Sequence, residues 1–347
     1  MTSISQHGQP MTPALAAKVA VLRDPGTYPE KPARVDAVET HMSWVFLTDR
    51  YAYKLKKPVR YDFLDFSTLA LRRHNCEEEV RLNRRLAPDV YLGTLPLTVD
   101  AQGGMRLGGE GEPIEWLVQM RRLPATRMLD AMIRQHALRE ADIDNLALLL
   151  AQFYRACPAV ALSAEEYRAG LEAAIGLNRA ELSPPAYDLP RDLIATVHDA
   201  QAGFLRRHAA LFDARVAAGK IIEGHGDLRP EHICLLAPPV VIDCLEFSRR
   251  LRLVDPVDEL AFLAMECERL EAPVVGERLL HTYTQVTHDR PAAALVSFYM
   301  SFRAGLRARF AIAHLRELDA KDWPKWRQIA GEYLRLAARY VGQFSAI

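Results

Sequence analysis

Charge of one sign, long apolar runs and paired cysteines are all missing from this 347-residue sequence. Lys plus Arg number 44 and Asp plus Glu number 44, so the formal net charge at pH 7 is zero. That balance supplies no basic surface for nucleic acid or anionic lipid, and neither is expected as a partner. The five cysteines, at positions 76, 157, 234, 244 and 267, are odd in number and have no C-x-x-C spacing. This excludes a disulfide frame and a cysteine zinc site, and suits reduced thiols. No apolar run approaches the roughly 20 residues of a membrane helix. The first residues lack a charged-then-apolar leader pattern, so a cytoplasmic protein without membrane attachment is expected. Internal repeats and low-complexity segments are absent too.

What is present is the composition of a globular protein, 50% hydrophobic and 25% charged. The length suffices for two lobes. Residues 1–11 are polar. A short amphipathic helix is expected over 12–23, capped by Thr12 with Pro13 at its first position. Pro25, Pro29 and Pro32 then punctuate a linker. Runs rich in β-branched and aromatic residues predict strands over 42–48 and 51–56, with Asp49-Arg50 as the hairpin turn. A helix is expected from Ser67 to Leu86, stopped before Pro88. Strands follow over 91–99 and 114–121. The glycines at 103, 104, 108, 109 and 111 lie between these strands with no helix following. They predict a hairpin turn, not a phosphate cradle.

After Pro124 the period changes to that of helices, over 140–156, 164–182, 190–218, 257–270, 291–314 and 323–341. The pattern predicts an α+β protein with an N-terminal extension (1–34), a β-rich lobe (35–123) and a helical lobe (124–347).

The helical half is interrupted once, by Gly224-His225-Gly226-Asp227-Leu228-Arg229-Pro230-Glu231-His232 and the apolar stretch that follows. Ile233-Cys234-Leu235-Leu236, Pro238-Pro239 and Val240-Val241-Ile242 read as two short buried strands joined by a turn. Asp227 then lies in the loop before the hairpin and Asp243 at its far end, and both carboxylates are expected to face one cleft. A loop carboxylate beside a strand-end carboxylate suits phosphoryl transfer.

His225-Gly226-Asp227 with His232 five positions past the aspartate resembles the catalytic loop of the aminoglycoside phosphotransferase family, relatives of the protein kinases. Val241-Ile242-Asp243 resembles that family's metal-binding strand end. Glu39 through Leu47 and Glu77 through Leu86 resemble a bacterial branch of uncharacterised phosphotransferase-like proteins. The likeness runs from about residue 35 to near 309. It implies a bilobal protein-kinase-like fold and an ATP-dependent transfer of the γ-phosphoryl group to a hydroxyl of a small molecule, with Mg²⁺, or Mn²⁺, as cofactor. The acceptor pocket is expected among the helices between 128 and 220.

The resemblance also implies roles. Asp227 accepts or orients the substrate proton, and Asp243 binds the metal. Ala52-Tyr53-Lys54 matches the family's strand lysine. Strand alternation puts Ala52 and Lys54 on one face, Ala52 under an adenine ring and Lys54 at the phosphates, with Lys56 one pleat further out. Glu79 shares a helix face with Leu82 and Leu86 and is expected to partner Lys54. Met120 lies at the hinge. Arg229 is expected to steady the γ-phosphate. His232 stands where the family has a metal-binding Asn, although Mg²⁺ prefers oxygen ligands. Glu246 is a further acid near the site. Asp255 reads as a helix N-cap, with Asp258 and Glu259 as partners of the helix dipole. The place of the kinase glycine loop holds Thr40-His41-Met42-Ser43, without glycine, whose amides and hydroxyls are left to meet phosphate.

Two other functions fit the same residues. One is a nucleotide-binding regulator of this fold with weak or no catalysis. The other is a metal-dependent hydrolase with His225, Asp227, His232 and Asp243 as ligands.

Overall fold

The computed structural model describes residues 14–61, 64–316, 321 and 323–345. The chain divides into two compact units: residues up to Pro124 together with Val241–Ser248, and Ala125–Val240 together with Arg249 onward. Where a division at 124 assigns everything beyond it to one lobe, the segment Val241–Ser248 groups with the first unit.

The first unit is built on antiparallel strands. Helix α1 (Leu15–Leu22) leads to β1 (Asp36–Glu39), β2 (Ser43–Leu47) and β3 (Tyr51–Lys56), then the short β4 (Arg60–Tyr61) and β5 (Leu64–Asp65). Helix α2 (Leu69–Asn83) precedes β6 (Tyr91–Val99), β7 (Met105–Leu107) and β8 (Glu112–Arg121). Six strands form one sheet in the order β1-β2-β3-β8-β6-β7. The glycine-rich stretch is the β6–β7–β8 turn region, as its setting between strands implied.

Alternation on β3 separates two environments. Tyr53 and Leu55 enter a core with Phe46, Leu97 and Leu117, and this core also takes Val19, Leu22 and Tyr28. The segment read as an N-terminal extension therefore contributes α1 to the sheet's own core. Lys18 of α1 is buried there and donates to Ile114 O (2.8 Å) and Glu115 Oε2 (2.9 Å). The other β3 face carries Ala52, Lys54 and Lys56. Ala52 pairs with Met120 and Lys54 with Val118 across the ladder to β8.

Helix α2 starts one residue later than Ser67 suggests. Thr68 is its cap, accepting from Leu71 N at 3.2 Å, while the Ser67 hydroxyl donates to Asp65 Oδ1. The cap proposed at Thr12 and Pro13 lies outside the described residues.

The second unit is mostly helical, with α3 (Leu129–Arg134), α4 (Glu140–Ala156), α5 (Ala164–Leu182), α6 (Arg191–Arg207), α7 (Ala209–Ala217), α8 (Pro256–Arg269), α9 (Pro273–Thr287), α10 (Ala293–Ala313) and α11 (Trp323–Phe344). Helices α5, α6, α8, α10 and α11 share one apolar core around Leu182, Val197, Phe262, Ala304 and Leu334. The helix expected over 190–218 is two helices, because His208 leaves helical geometry (φ −112°, ψ 32°). Helix α9 has no counterpart among the sequence expectations.

Strands β9 (Ile222–Glu223) and β12 (Leu253–Val254) pair antiparallel and frame the loop at 224–232. The expected hairpin is β10 (Ile233–Cys234) with β11 (Val240–Val241). Among the described residues, no helix is long and apolar enough to cross a membrane.

Candidate active site

Within the first unit, β3 and α2 bring three charged side chains together, and the segment carrying Asp243 adds two more. Lys54 Nζ donates to Glu79 Oε1 (2.9 Å) and Asp243 Oδ1 (2.7 Å). Lys56 Nζ donates to the other oxygen of Glu79, Oε2 (2.6 Å), and to Glu246 Oε1. Lys56 lies one pleat further along the same face of β3, as expected. It is wholly buried, because Glu246 reaches it from a segment far away in sequence. Lys57 points elsewhere and pairs with Glu39.

The group holds three carboxylates against two ammoniums, one negative charge in excess when all are ionised. Burial alone would lower both lysine pKa values, but Asp243, Glu79 and Glu246 outweigh it for Lys54, and Glu246 and Glu79 for Lys56. Both stay protonated. Burial likewise opposes ionisation of Glu79, yet Lys54 and Lys56 hold its pKa below the ordinary value. Glu246 goes the other way, raised by burial and by Glu79 in excess of what Lys56 returns.

Asp243 is the open member, its side chain 45% exposed against 16% for Lys54 and none for Glu79. Its backbone is left-handed (φ 62°), a conformation that aspartate tolerates better than most residues. Tyr91 Oη accepts the Asp243 amide (3.1 Å). Asn83 of α2 accepts from Cys244 N (2.9 Å) and donates to Glu79 O (2.8 Å). One amide side chain thus ties the helix turn bearing Glu79 to the segment bearing Asp243. Neither Tyr91 nor Asn83 was singled out from sequence, although Asn83 lies inside the Glu77–Leu86 stretch.

An exposed carboxylate beside an excess of negative charge is the oxygen-donor setting that Mg²⁺ takes. Ala52 and Met120, partners across β3 and β8, are each 8% exposed. At the place of the glycine loop, Thr40 and Ser43 are engaged with each other. Ser43 N donates to Thr40 Oγ1 (3.0 Å), and Thr40 Oγ1 donates to Ser43 O (3.0 Å).

Within the second unit, the loop at 224–232 is held by α8. The backbone amide of Gly226, which sits at φ +88°, donates to Glu259 Oε1. Gly224 is pressed against the same carboxylate: a methyl on its Cα would lie 2.6 Å from Glu259 Oε2 and 2.7 Å from Val254 Cγ2. Glu259 also accepts from Tyr154 Oη (3.1 Å). It stands in the first turn of α8, as expected of a partner of the helix dipole, and it also holds the loop. Asp255 is the cap expected of it, accepting from Val257 N (2.9 Å), and its carboxylate also binds Arg215.

Asp227 is four-fifths buried. Burial would raise its pKa, but Arg229, His232 and Arg307 pull it below the ordinary carboxylate value. Arg229 Nε lies 3.1 Å from Asp227 Oδ2, poorly aligned for a hydrogen bond, and its Nη2 is 3.1 Å from His232 Nε2. The fork read as a γ-phosphate clamp is thus turned onto its own loop. Arg307 of α10, unremarked in the sequence, donates to Glu266 Oε1 (2.9 Å).

His232 Nδ1 is 2.9 Å from the carbonyl oxygen of Asp227, which can only accept, so Nδ1 carries the proton and Nε2 faces the Arg229 donor. Both ring nitrogens are occupied, and metal ligation by His232 would break one of these bonds. Among the described residues, no group of three or more His, Cys, Asp or Glu side chains is arranged to hold a metal ion.

No family model matches the chain. Over 278 residues, 79% of this chain, it is 34% identical to uncharacterised proteins of Mycobacterium tuberculosis and Mycobacterium bovis. It spans about half the length of these relatives, 54%. Among solved structures, a choline/ethanolamine kinase family protein from Mesorhizobium loti aligns over 96% of this chain and 100% of its own, with TM-score 0.53 and 15% identity. Choline kinase from Cryptosporidium parvum aligns over 94% of this chain and 97% of its own, with TM-score 0.55 and 10% identity. The GDP complex of aminoglycoside 2′-phosphotransferase-IIIa aligns over 95% and 99%, with TM-score 0.50 and 14% identity. Identities this low speak for fold alone, and the chain has the α+β, bilobal protein-kinase-like fold of these small-molecule kinases.

Proposed function

We propose that the protein is an ATP-dependent phosphotransferase that moves the γ-phosphoryl group to a hydroxyl of a small molecule. The observation that carries this reading is the Lys54–Glu79–Asp243 contact. It joins a strand lysine, a helix acid and the aspartate after the hairpin, in the order along the chain that kinase chemistry uses. The kinase-like fold and its small-molecule kinase neighbours support it.

Lys54 neutralises phosphate charge, and Glu79 fixes its ammonium. Ala52 and Met120 offer the apolar surface for the base of the nucleotide. Asp243 would hold Mg²⁺, which would neutralise charge on the phosphoryl group. Asp227 accepts a hydrogen bond from the acceptor hydroxyl and takes its proton as the new P–O bond forms and the bond to the ADP oxygen breaks. A carboxylate held below its ordinary pKa is a weak base, so it orients the hydroxyl first and receives the proton late. Arg229 and His232 position Asp227, and His232 is assigned no metal.

The engaged Thr40–Ser43 turn and the inward Arg229 fork favour a second reading, a nucleotide-binding regulator with little turnover. One experiment separates the two. ATP consumption is followed with Mg²⁺ or Mn²⁺ against a panel of hydroxyl acceptors, beside nucleotide binding. The enzyme reading expects turnover that Asp227→Asn lowers by about 10²-fold or more without weakening nucleotide binding. Binding without turnover on any acceptor supports the regulator, and turnover untouched by Asp227→Asn removes the role given to that residue.

A further inference from the structure

A second group of buried polar side chains lies among the helices and has no part in the reaction above. Asn178 of α5, His198 and Gln201 of α6 and Ser301 of α10 are each at most 1% exposed. Their hydrogen bonds can be assigned in turn. Ser301 Oγ donates to the carbonyl of Ala337 (3.0 Å), so toward Gln201 it must accept, and Gln201 Nε2 is the donor (2.9 Å). That fixes the amide and leaves Gln201 Oε1 as an acceptor with no protein partner. His198 Nδ1 lies 2.7 Å from the carbonyl of Ile194, so it carries the proton and Nε2 is a bare acceptor, also without a partner. Burial lowers the imidazole pKa and keeps that nitrogen unprotonated. Asn178 has a partner for neither Oδ1 nor Nδ2. Native interiors rarely tolerate four such atoms in one place.

These side chains surround Gly305 of α10. A methyl placed on its Cα would lie 3.6 Å from His198 Nε2 and 3.8 Å from both Asn178 Nδ2 and Gln201 Nε2, ordinary contact distances. Alanine would fit, and it is the better helix former. A glycine in mid-helix here therefore leaves room for something other than a side chain, about the size of one non-hydrogen atom.

We propose that the notch over Gly305 is a binding site for a single buried water molecule, held by Asn178, His198 and Gln201 and joining α5, α6 and α10. Water fits the donor pattern. It donates twice, to His198 Nε2 and an amide oxygen, and accepts from Asn178 Nδ2. Ammonium has only hydrogens to offer and would face the Asn178 donor, while an anion would face three acceptors.

The test pairs glycine substitutions with a crystal structure of the wild type. Gly305→Ala is expected to lower Tm, although Gly176→Ala, on an exposed stretch of α5 where a methyl meets nothing within 4 Å, raises it. Gly305→Ser supplies a hydroxyl in place of the water and recovers Tm relative to the alanine variant. The crystal structure should show one water hydrogen-bonded to at least two of the three side chains. The proposal is overturned if Gly305→Ala raises Tm as far as Gly176→Ala. A dry notch with the side chains closed onto one another overturns it as well. Should the alanine variant not fold, the wild-type density decides alone.

Discussion

Lys56 is the side chain on which the first unit's charge cluster turns. Taking away its ammonium leaves Glu79 and Glu246 buried without it. Breaking a buried pair from one side costs about 3–5 kcal/mol, so Lys56→Met should lower the unfolding free energy by about that much. Adding Glu246→Leu should restore a large part of it, because the buried carboxylate that met Lys56 goes too. A double-mutant cycle in urea checks this, and simple additivity would sink the pairing. The cluster also sets a pH dependence. Glu246 is raised in the fold, so stability grows as pH falls from neutrality toward 4.5, the ordinary glutamate value. Glu79 is depressed, so its contribution is present above 4.5 and is lost as pH falls through its folded value. The cluster's contribution should therefore peak on the acid side, and Glu246→Gln should flatten the rise toward that peak in urea unfolding across pH. On the proposed reaction, Arg307→Gln removes one of the cations depressing Asp227. The acid limb of kcat/KM should then move upward in pH.

At the scale of elements, caps and close approaches carry the testable weight. Thr68→Ala should cost about 1 kcal/mol, the usual worth of an N-cap, while Ser67→Ala should cost α2 little. Gly224→Ala forces Glu259 or Val254 to move and should destabilise by about 1–3 kcal/mol. The boundaries of β3 and β6 were legible because aromatic and β-branched runs end at clear turns. The Lys54–Glu79 contact was legible too, since alternation on a strand and a leucine stripe on a helix each leave one polar face. The break at His208 was not. It has no proline or glycine to mark it, and only the tertiary packing of α6 and α7 decides it. Nor could periodicity reveal that Glu259 grips Gly226, because that bond spans 33 residues and depends on how α8 meets the loop.

For the molecule as a whole, the alternation of strand-period and helix-period sequence made the fold class readable. The grouping of Val241–Ser248 with the first unit was not readable, since local composition says nothing about which core a segment joins. If nucleotide binding is as proposed, MgATP at about 100 times its Kd should stabilise the protein by about 2.7 kcal/mol. Differential scanning calorimetry would record this, and Lys54→Ala should remove most of it. The route of the chain has a practical consequence. A gene fragment ending near Pro124 would keep Lys54, Lys56 and Glu79 but discard Asp243 and Glu246, inverting the sign of the buried charge. The sheet-bearing half therefore cannot be exchanged between proteins as a continuous cassette. It inherits two of its own acids only through the half into which it is threaded.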